Sequence, residues 1–305
     1  MRHVIKFRIK QKVLWSVIIF IFSVFIIQVY FEISVYFFEL KIPSTKTSMK
    51  TEHKTLKMNG YDIHFHLSGP QNAPAIVFLH PAFSDHRAFN LQVDFFSKKY
   101  RVITLDLIGH GLSKTNKSKD KIDVSLEHIL NIIQLEKIAK IHLVGVSLGA
   151  LIAQHFALEY PNKVLSLTAV GGYDINKENK EVAKAQRSSN LGLIIRALFS
   201  MKAFRKKTAE ITCQSEQGQA LFYESSSHQE RKSFLAMQRL ENIIKDRPST
   251  TINYPLLIMV GEFDVPLAIK MAKEWHKSIN HSAFFYLKML VIVLTWMYLR
   301  FLMKR

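Results

Sequence analysis

The stretch Ile141-His142-Leu143-Val144-Gly145-Val146-Ser147-Leu148-Gly149-Ala150 decides how the chain folds. An apolar run suited to a buried strand ends at Gly145, and a helical pattern over residues 150–160 opens straight after Gly149. A strand joined so closely to a helix has to turn sharply, which leaves Ser147 in a strained conformation with its hydroxyl exposed. Glycine is needed on both sides because side chains there would collide with neighbouring elements. The start of the helix then directs free N–H groups and the positive end of its dipole at charge developing near that hydroxyl. These are the needs of an activated serine nucleophile; the plainer reading is an ordinary strand-helix turn.

Outward from this stretch, short apolar runs alternate with amphipathic ones. Residues 56–67, with Asn59-Gly60 near their start, predict a β-hairpin. Strands are expected at 75–79, 101–107, 164–170 and 256–260, and helices at 85–99, 124–139 and 265–278. Such alternation means an α/β fold, with a mostly parallel sheet covered by helices on both faces. The 305 residues suit two domains or one large α/β domain with insertions, and 48% apolar against 22% charged composition excludes global disorder. The single cysteine, Cys213, excludes an internal disulfide and a cysteine-rich zinc site.

Three further segments join the Gly145–Gly149 motif in a resemblance to the α/β-hydrolase family, which extends over residues 54–285. Phe78-Leu79-His80-Pro81-Ala82-Phe83 is similar to the family's oxyanion loop, Asp106-Leu107-Ile108-Gly109-His110-Gly111-Leu112-Ser113 to its Asp-x-x-Gly-x-Gly-x-Ser turn, and Val260-Gly261-Glu262-Phe263-Asp264 to the strand end bearing the triad acid. The resemblance implies Ser147 as nucleophile and Asp264 as acid, with Ala82 and Leu148 as the oxyanion hole. It places His80 and Phe83 at the substrate. The departure is Pro81, which has no backbone N–H to donate. Asp264 could instead, or in addition, cap the helix that begins at Val265-Pro266, and Asp174 is the reserve acid. His80 and His110 read as loop-organising residues rather than proton carriers, while His64, His66, His142 and His155 read as structural. A small-molecule acyl substrate is implied; no cofactor is called for, and no set of residues shows metal-ligand spacing.

The insertion at residues 173–248 is helical in pattern, chiefly over 191–204 and 234–244, and occupies the position of the family's lid. Ile194, Ile195, Leu198 and Phe199 either line an acyl pocket or pack the lid on the sheet. The second half of the core follows at 249–285.

At the N-terminus, Arg2, Lys6, Arg8, Lys10 and Lys12 precede an uncharged apolar run over residues 13–31. As a helix that run is about 28 Å long, close to the hydrocarbon thickness of a bilayer, with Trp15 and Tyr30 near its ends. Residues 1–40 therefore read as a basic end and a membrane anchor, and 41–53 as a linker. The positive-inside rule puts residues 1–12 in the cytoplasm and the hydrolase-like domain outside. This cluster accounts for part of the net charge of +18, and no basic stripe interleaved with aromatics points to nucleic acid. Oligomeric state leaves no mark on the sequence.

The histidine of a Ser–Asp–His order belongs on a loop after the last strand. After Asp264 the chain offers His276, within a predicted helix, and His281, before the last apolar run. The tail at 286–305 resembles no hydrolase ending. Its uncharged run between Lys288 and Arg300 is too short to span a bilayer. Read one nucleotide earlier, Trp296-Met297 is forced to encode Asp and Met297-Tyr298 to encode Val. Synonymous choices then allow Glu-Asn-Ala-Gly-His-Cys-Ala-Asn-Met-Asp-Val-Pro-Glu across residues 287–300, which resembles the family's histidine loop. The expectation is a frameshift shortly before Leu287 that removes the catalytic base. The competing class is a non-catalytic binding module or a decayed product.

Overall fold

The computed structural model describes residues 51–58, 60–115, 119–178, 192–248 and 252–287. The anchor at 13–31 and nearly all of the tail at 286–305 lie outside the described residues. Among the described residues no helix is long and apolar enough to cross a membrane.

Eight strands form one sheet in the order β1-β2-β4-β3-β5-β6-β7-β8. They are β1 (Glu52–Met58), β2 (Tyr61–Ser68), β3 (Ala75–Leu79), β4 (Arg101–Leu105), β5 (Ile141–Val146), β6 (Val164–Val170), β7 (Leu256–Gly261) and β8 (Ser282–Leu287). The hairpin β1–β2 and the pair β2–β4 are antiparallel. Every other pair is parallel. All five residues of β3 are buried, as a central strand covered on both faces must be. β2 alternates instead, with Tyr61, Ile63, Phe65 and Leu67 in the core and Asp62, His64 and His66 on the other face.

The helices of the sheet layers are α1 (Asn90–Phe96), α2 (Ser125–Leu135), α3 (Leu148–Glu159) and α8 (Pro266–Ser278). The larger core gathers Ile129, Ile132 and Ile133 of α2, Ile152 and Phe156 of α3 and Trp275 of α8 against one face. On the other face Phe96 of α1 meets Ile76, Phe78 and Val102. Between β6 and β7 lie α4 (192–199), α5 (Met201–Thr212), α6 (Glu216–Ser225) and α7 (Ser233–Ala236).

Several boundaries differ from expectation. β1 begins at Glu52, inside the stretch read as linker, because Lys54 pairs with Glu136 at 2.8 Å and the strand is zipped to β2. The helix expected over 85–99 is a 3₁₀ turn, His86–Phe89, followed by α1, since Asp85 caps the turn through the N–H of Arg87. The helical pattern over 191–204 breaks at Ser200, whose hydroxyl accepts from the N–H of Ala203 and starts α5. The pattern over 234–244 is interrupted after α7 and at Arg239, which takes a left-handed φ of 67°. β8 runs through Leu287, past the expected end of the core, because Tyr286 pairs with Val260 and Leu287 with Gly261.

Candidate active site

Ser147 stands between β5 and α3 with φ 50° and ψ −113°. That region is costly for a residue with a Cβ, on the order of 1–3 kcal/mol, and persists only where the surroundings impose it. Here they do. The Ser147 N–H donates to the Val170 carbonyl of β6 at 2.8 Å, so the turn is tied to the neighbouring strand. A Cβ on Gly145 would lie 2.3 Å from the Gly149 carbonyl oxygen, and one on Gly149 would lie 2.0 Å from the Leu79 carbonyl oxygen. The two glycines thus let α3 start directly against the end of β3. That brings the N–H of Leu148, the first of the helix and without an acceptor inside it, toward the loop carrying Ala82. Nine of the twelve residues of α3 are buried, so the position of this helix is set from all sides.

The loop after β3 is held by its own side chains. His80 is fully buried; its Nε2 accepts from the N–H of Leu107 at 3.0 Å and its Nδ1 donates to the Pro81 carbonyl at 2.8 Å. Burial lowers its pKa, so the ring is neutral. With both nitrogens occupied, His80 braces the loop. Phe83 takes a left-handed φ of 64° and is buried against Phe204 and Phe234, each ring 5.2 Å away. It therefore joins the loop to the insertion. Ser84 donates to Ser225 at 2.8 Å and Arg87 to Ser227 at 2.8 Å, which clamps the same two segments further along.

The turn after β4 is built on Asp106. Its carboxylate accepts from the N–H of Leu112 at 2.8 Å, the N–H of His86 at 2.9 Å and Nδ1 of His86 at 2.7 Å. Burial pushes its pKa up, but these partners outweigh burial and hold the carboxyl below its ordinary range. Gly111, at φ 50°, leaves the space this carboxylate fills, since a Cβ there would lie 2.2 Å from it. Asp85, His86 and Asp106 bring possible metal-ligand atoms within 4.8 Å of one another. Arg87 engages Asp85 through its Nε at 2.9 Å, and Nδ1 of His86 is bonded to Asp106, so these groups already have partners within the protein. His110, also buried, donates through Nδ1 to the Ile108 carbonyl at 3.1 Å.

Asp264 is buried just past the end of β7, and its Oδ2 accepts from the N–H of Gly261 at 2.8 Å. It is not the cap of α8, a position held by Val265 without a side-chain bond. Asp174 accepts from the N–H of Asn176 at 2.9 Å, a local turn of its own loop. β5 and β7 flank β6, so the strand ends next to Ser147 and Asp264 are about 10 Å apart in the sheet. β8 is parallel to β7 and ends level with Gly261, at this same edge. His281 precedes β8, and His276 is held by Ser282 at 2.8 Å; both sit at the opposite edge, roughly 17 Å away along the strand.

A family model described as alpha/beta hydrolase fold matches residues 74–199. A carboxylesterase of Nitrososphaera gargenis superposes with a TM-score of 0.70 at 16% identity, covering 83% of this chain and 95% of that one. The enol-lactonase of Burkholderia xenovorans LB400 gives 0.65 at 18% identity, covering 82% and 97%. This chain is an α/β-hydrolase-fold protein. Among curated relatives, 3-oxoadipate enol-lactonase 1 of Acinetobacter baylyi is 33% identical over 109 residues, 36% of this chain and 41% of the relative. Monoacylglycerol lipase ABHD6 of Bos taurus is 32% identical over 121 residues, 38% of this chain and 36% of the relative. The chain thus spans less than half the length of either relative.

Proposed function

We propose that the protein is a membrane-anchored serine hydrolase that cleaves an acyl bond through an acyl-enzyme at Ser147. The observation that carries this is the strained Ser147 at the start of α3, held by glycines that admit no side chain. In this mechanism the Ser147 hydroxyl attacks a carbonyl, and the N–H groups of Ala82 and Leu148 receive the oxyanion. A histidine takes the proton, Asp264 fixes that histidine's tautomer, and water releases the acyl group. The names of the relatives (enol-lactonase, monoacylglycerol lipase, carboxylesterase) favour an ester over a thioester or amide. The helical insertion serves as the lid.

After Asp264 the sequence offers His276 and His281, and our reading is that a frameshift shortly before Leu287 displaces the base. Two features support this. The end of β8 delivers the chain beside Asp264, where a histidine loop would be needed. Phe285 is exposed on the sheet face where, among the described residues, α1 is the covering helix, so a further helix after the loop would have a place to pack. The second reading, a binding module, is favoured by the position of His276 and His281 at the wrong edge.

Nucleotide sequencing through codons 286–300 and expression of the frame-restored chain decide between them. The chain as written is expected to turn over nitrophenyl esters weakly, and the restored chain about 10²–10⁴-fold faster, with the gain lost in Ser147→Ala. A restored chain that folds yet hydrolyses no ester or thioester makes the binding module the better reading. For the anchor, protease added to intact cells should digest the domain and spare residues 1–40.

A further inference from the structure

Helix α4 (192–199) is apolar on almost every side, with Arg196 its one charge. Leu193 and Ala197 face inward, toward Phe83, Phe204 and Phe234. The pairs Ile194/Leu198 and Ile195/Phe199, each one turn apart, face outward and are 37%, 62%, 47% and 85% exposed. An acyl-pocket lining or a packing contact would cover these four side chains, and neither does. A helix apolar all round belongs in an interior, and a contiguous exposed stripe marks an interaction site where scattered apolar residues would not.

The charges around the stripe indicate its partner. Arg231 donates to the carbonyls of Ala197 and Leu198 at 2.9 and 3.2 Å, which fixes a guanidinium at the end of the stripe. Lys202 and Lys206 are exposed on α5, which begins two residues after Phe199, and Lys232 is exposed beside Arg231. The neighbouring acids are engaged, Glu210 by Lys207 at 3.3 Å and Glu230 by Lys114 at 3.2 Å. We propose that α4 and the start of α5 form a docking surface for an anionic phospholipid membrane. The four apolar side chains enter the headgroup–acyl boundary while the cations meet the phosphates. Because α4 packs on Phe83 of the oxyanion loop, docking would bring the edge that carries Ser147 to the bilayer. Only this consequence rests on the acyl-hydrolase reading.

The test uses the full chain in proteoliposomes, with Cys213→Ala and a fluorescent label sensitive to polarity on Phe199→Cys. In vesicles containing phosphatidylglycerol, the label should brighten and be quenched by brominated acyl chains; in phosphatidylcholine alone it should stay in water. A label on Leu135→Cys, on α2, should respond in neither. Each basic residue near an anionic surface contributes roughly fivefold, so Lys202→Gln/Lys206→Gln should lower the docked-to-undocked ratio about 25-fold. A label at 199 that stays in water in both vesicles overturns the proposal. So does one shielded before lipid is added, which would mean that protein covers the stripe. Fluorophosphonate labelling of Ser147 in the frame-restored chain is read separately. Docking without such labelling would sink the hydrolase reading and leave this one standing.

Discussion

Replacing Gly149 with alanine would put a methyl group 2.0 Å from the Leu79 carbonyl oxygen, 2.5 Å from its carbon and 2.9 Å from its Cβ. Real Cβ atoms keep at least 3.0 Å from such neighbours, so α3 and the end of β3 must separate by about 1 Å. Neither partner yields easily, because β3 is a central strand and α3 is buried on nearly all sides. Overpacking costs about 1–3 kcal/mol, and the backbone obstacle at Leu79 puts Gly149→Ala near the top of that range. For a domain of this size each kcal/mol lowers Tm by about 2–4 °C, so a fall of about 6–12 °C is expected. The same displacement moves Ser147 and Leu148 relative to Ala82, and a 1 Å error in such geometry costs about 10²-fold in rate. The assay is thermal denaturation by circular dichroism, with the rate of fluorophosphonate labelling measured on the frame-restored chain. Gly192→Ala is the control, since a Cβ at Gly192 meets nothing within 4 Å. If Gly149→Ala melts with the control and is labelled at the parental rate, the close approach of α3 to β3 does not define the site.

Ser147→Gly should raise stability by about 1 kcal/mol, seen as a higher urea midpoint, because glycine tolerates the positive φ, while labelling is abolished; a less stable variant would contradict the assigned strain. Burial holds His128 at about 4 and His110 at about 3, against an unfolded value near 6.5, so both are neutral in the fold and the unfolded chain binds the extra protons. Stability should therefore be complete above about pH 6.5 and fall as the pH drops toward 4. His128→Gln, which keeps a partner for Tyr61, should flatten part of that slope, and a flat urea-midpoint profile in the parent would refute the assignment. Asp106, whose pKa is lowered, adds stability that is present above about pH 4 and lost below it. Asp106→Asn should cost about 3 kcal/mol at pH 7 by calorimetry, and a change under about 1 kcal/mol would show that the turn stands without the charge.

Much of the architecture was legible along the chain because it is local. The alternation of apolar runs and amphipathic stretches marks strands and helices wherever one element's period lasts long enough, and residues 75–79 and 164–170 are strands at the boundaries expected. The glycines beside Ser147 are legible for the same reason, since the turn they serve is completed within a few residues. Roles that depend on what another segment places nearby were not legible. A loop-organising role for His80 was legible, but its partner was not: the N–H of Leu107, just beyond β4, occupies its Nε2. The contacts of Phe83 with Phe204 and Phe234, far along the chain, are likewise set by the fold. The order of strands decides that His276 and His281 lie at the wrong edge, because β8 pairs parallel with β7 and carries them to its start. The apolar residues of α4 read as acyl-pocket lining or as packing of the lid; which of them is covered depends on packing, and packing leaves Phe199 in water.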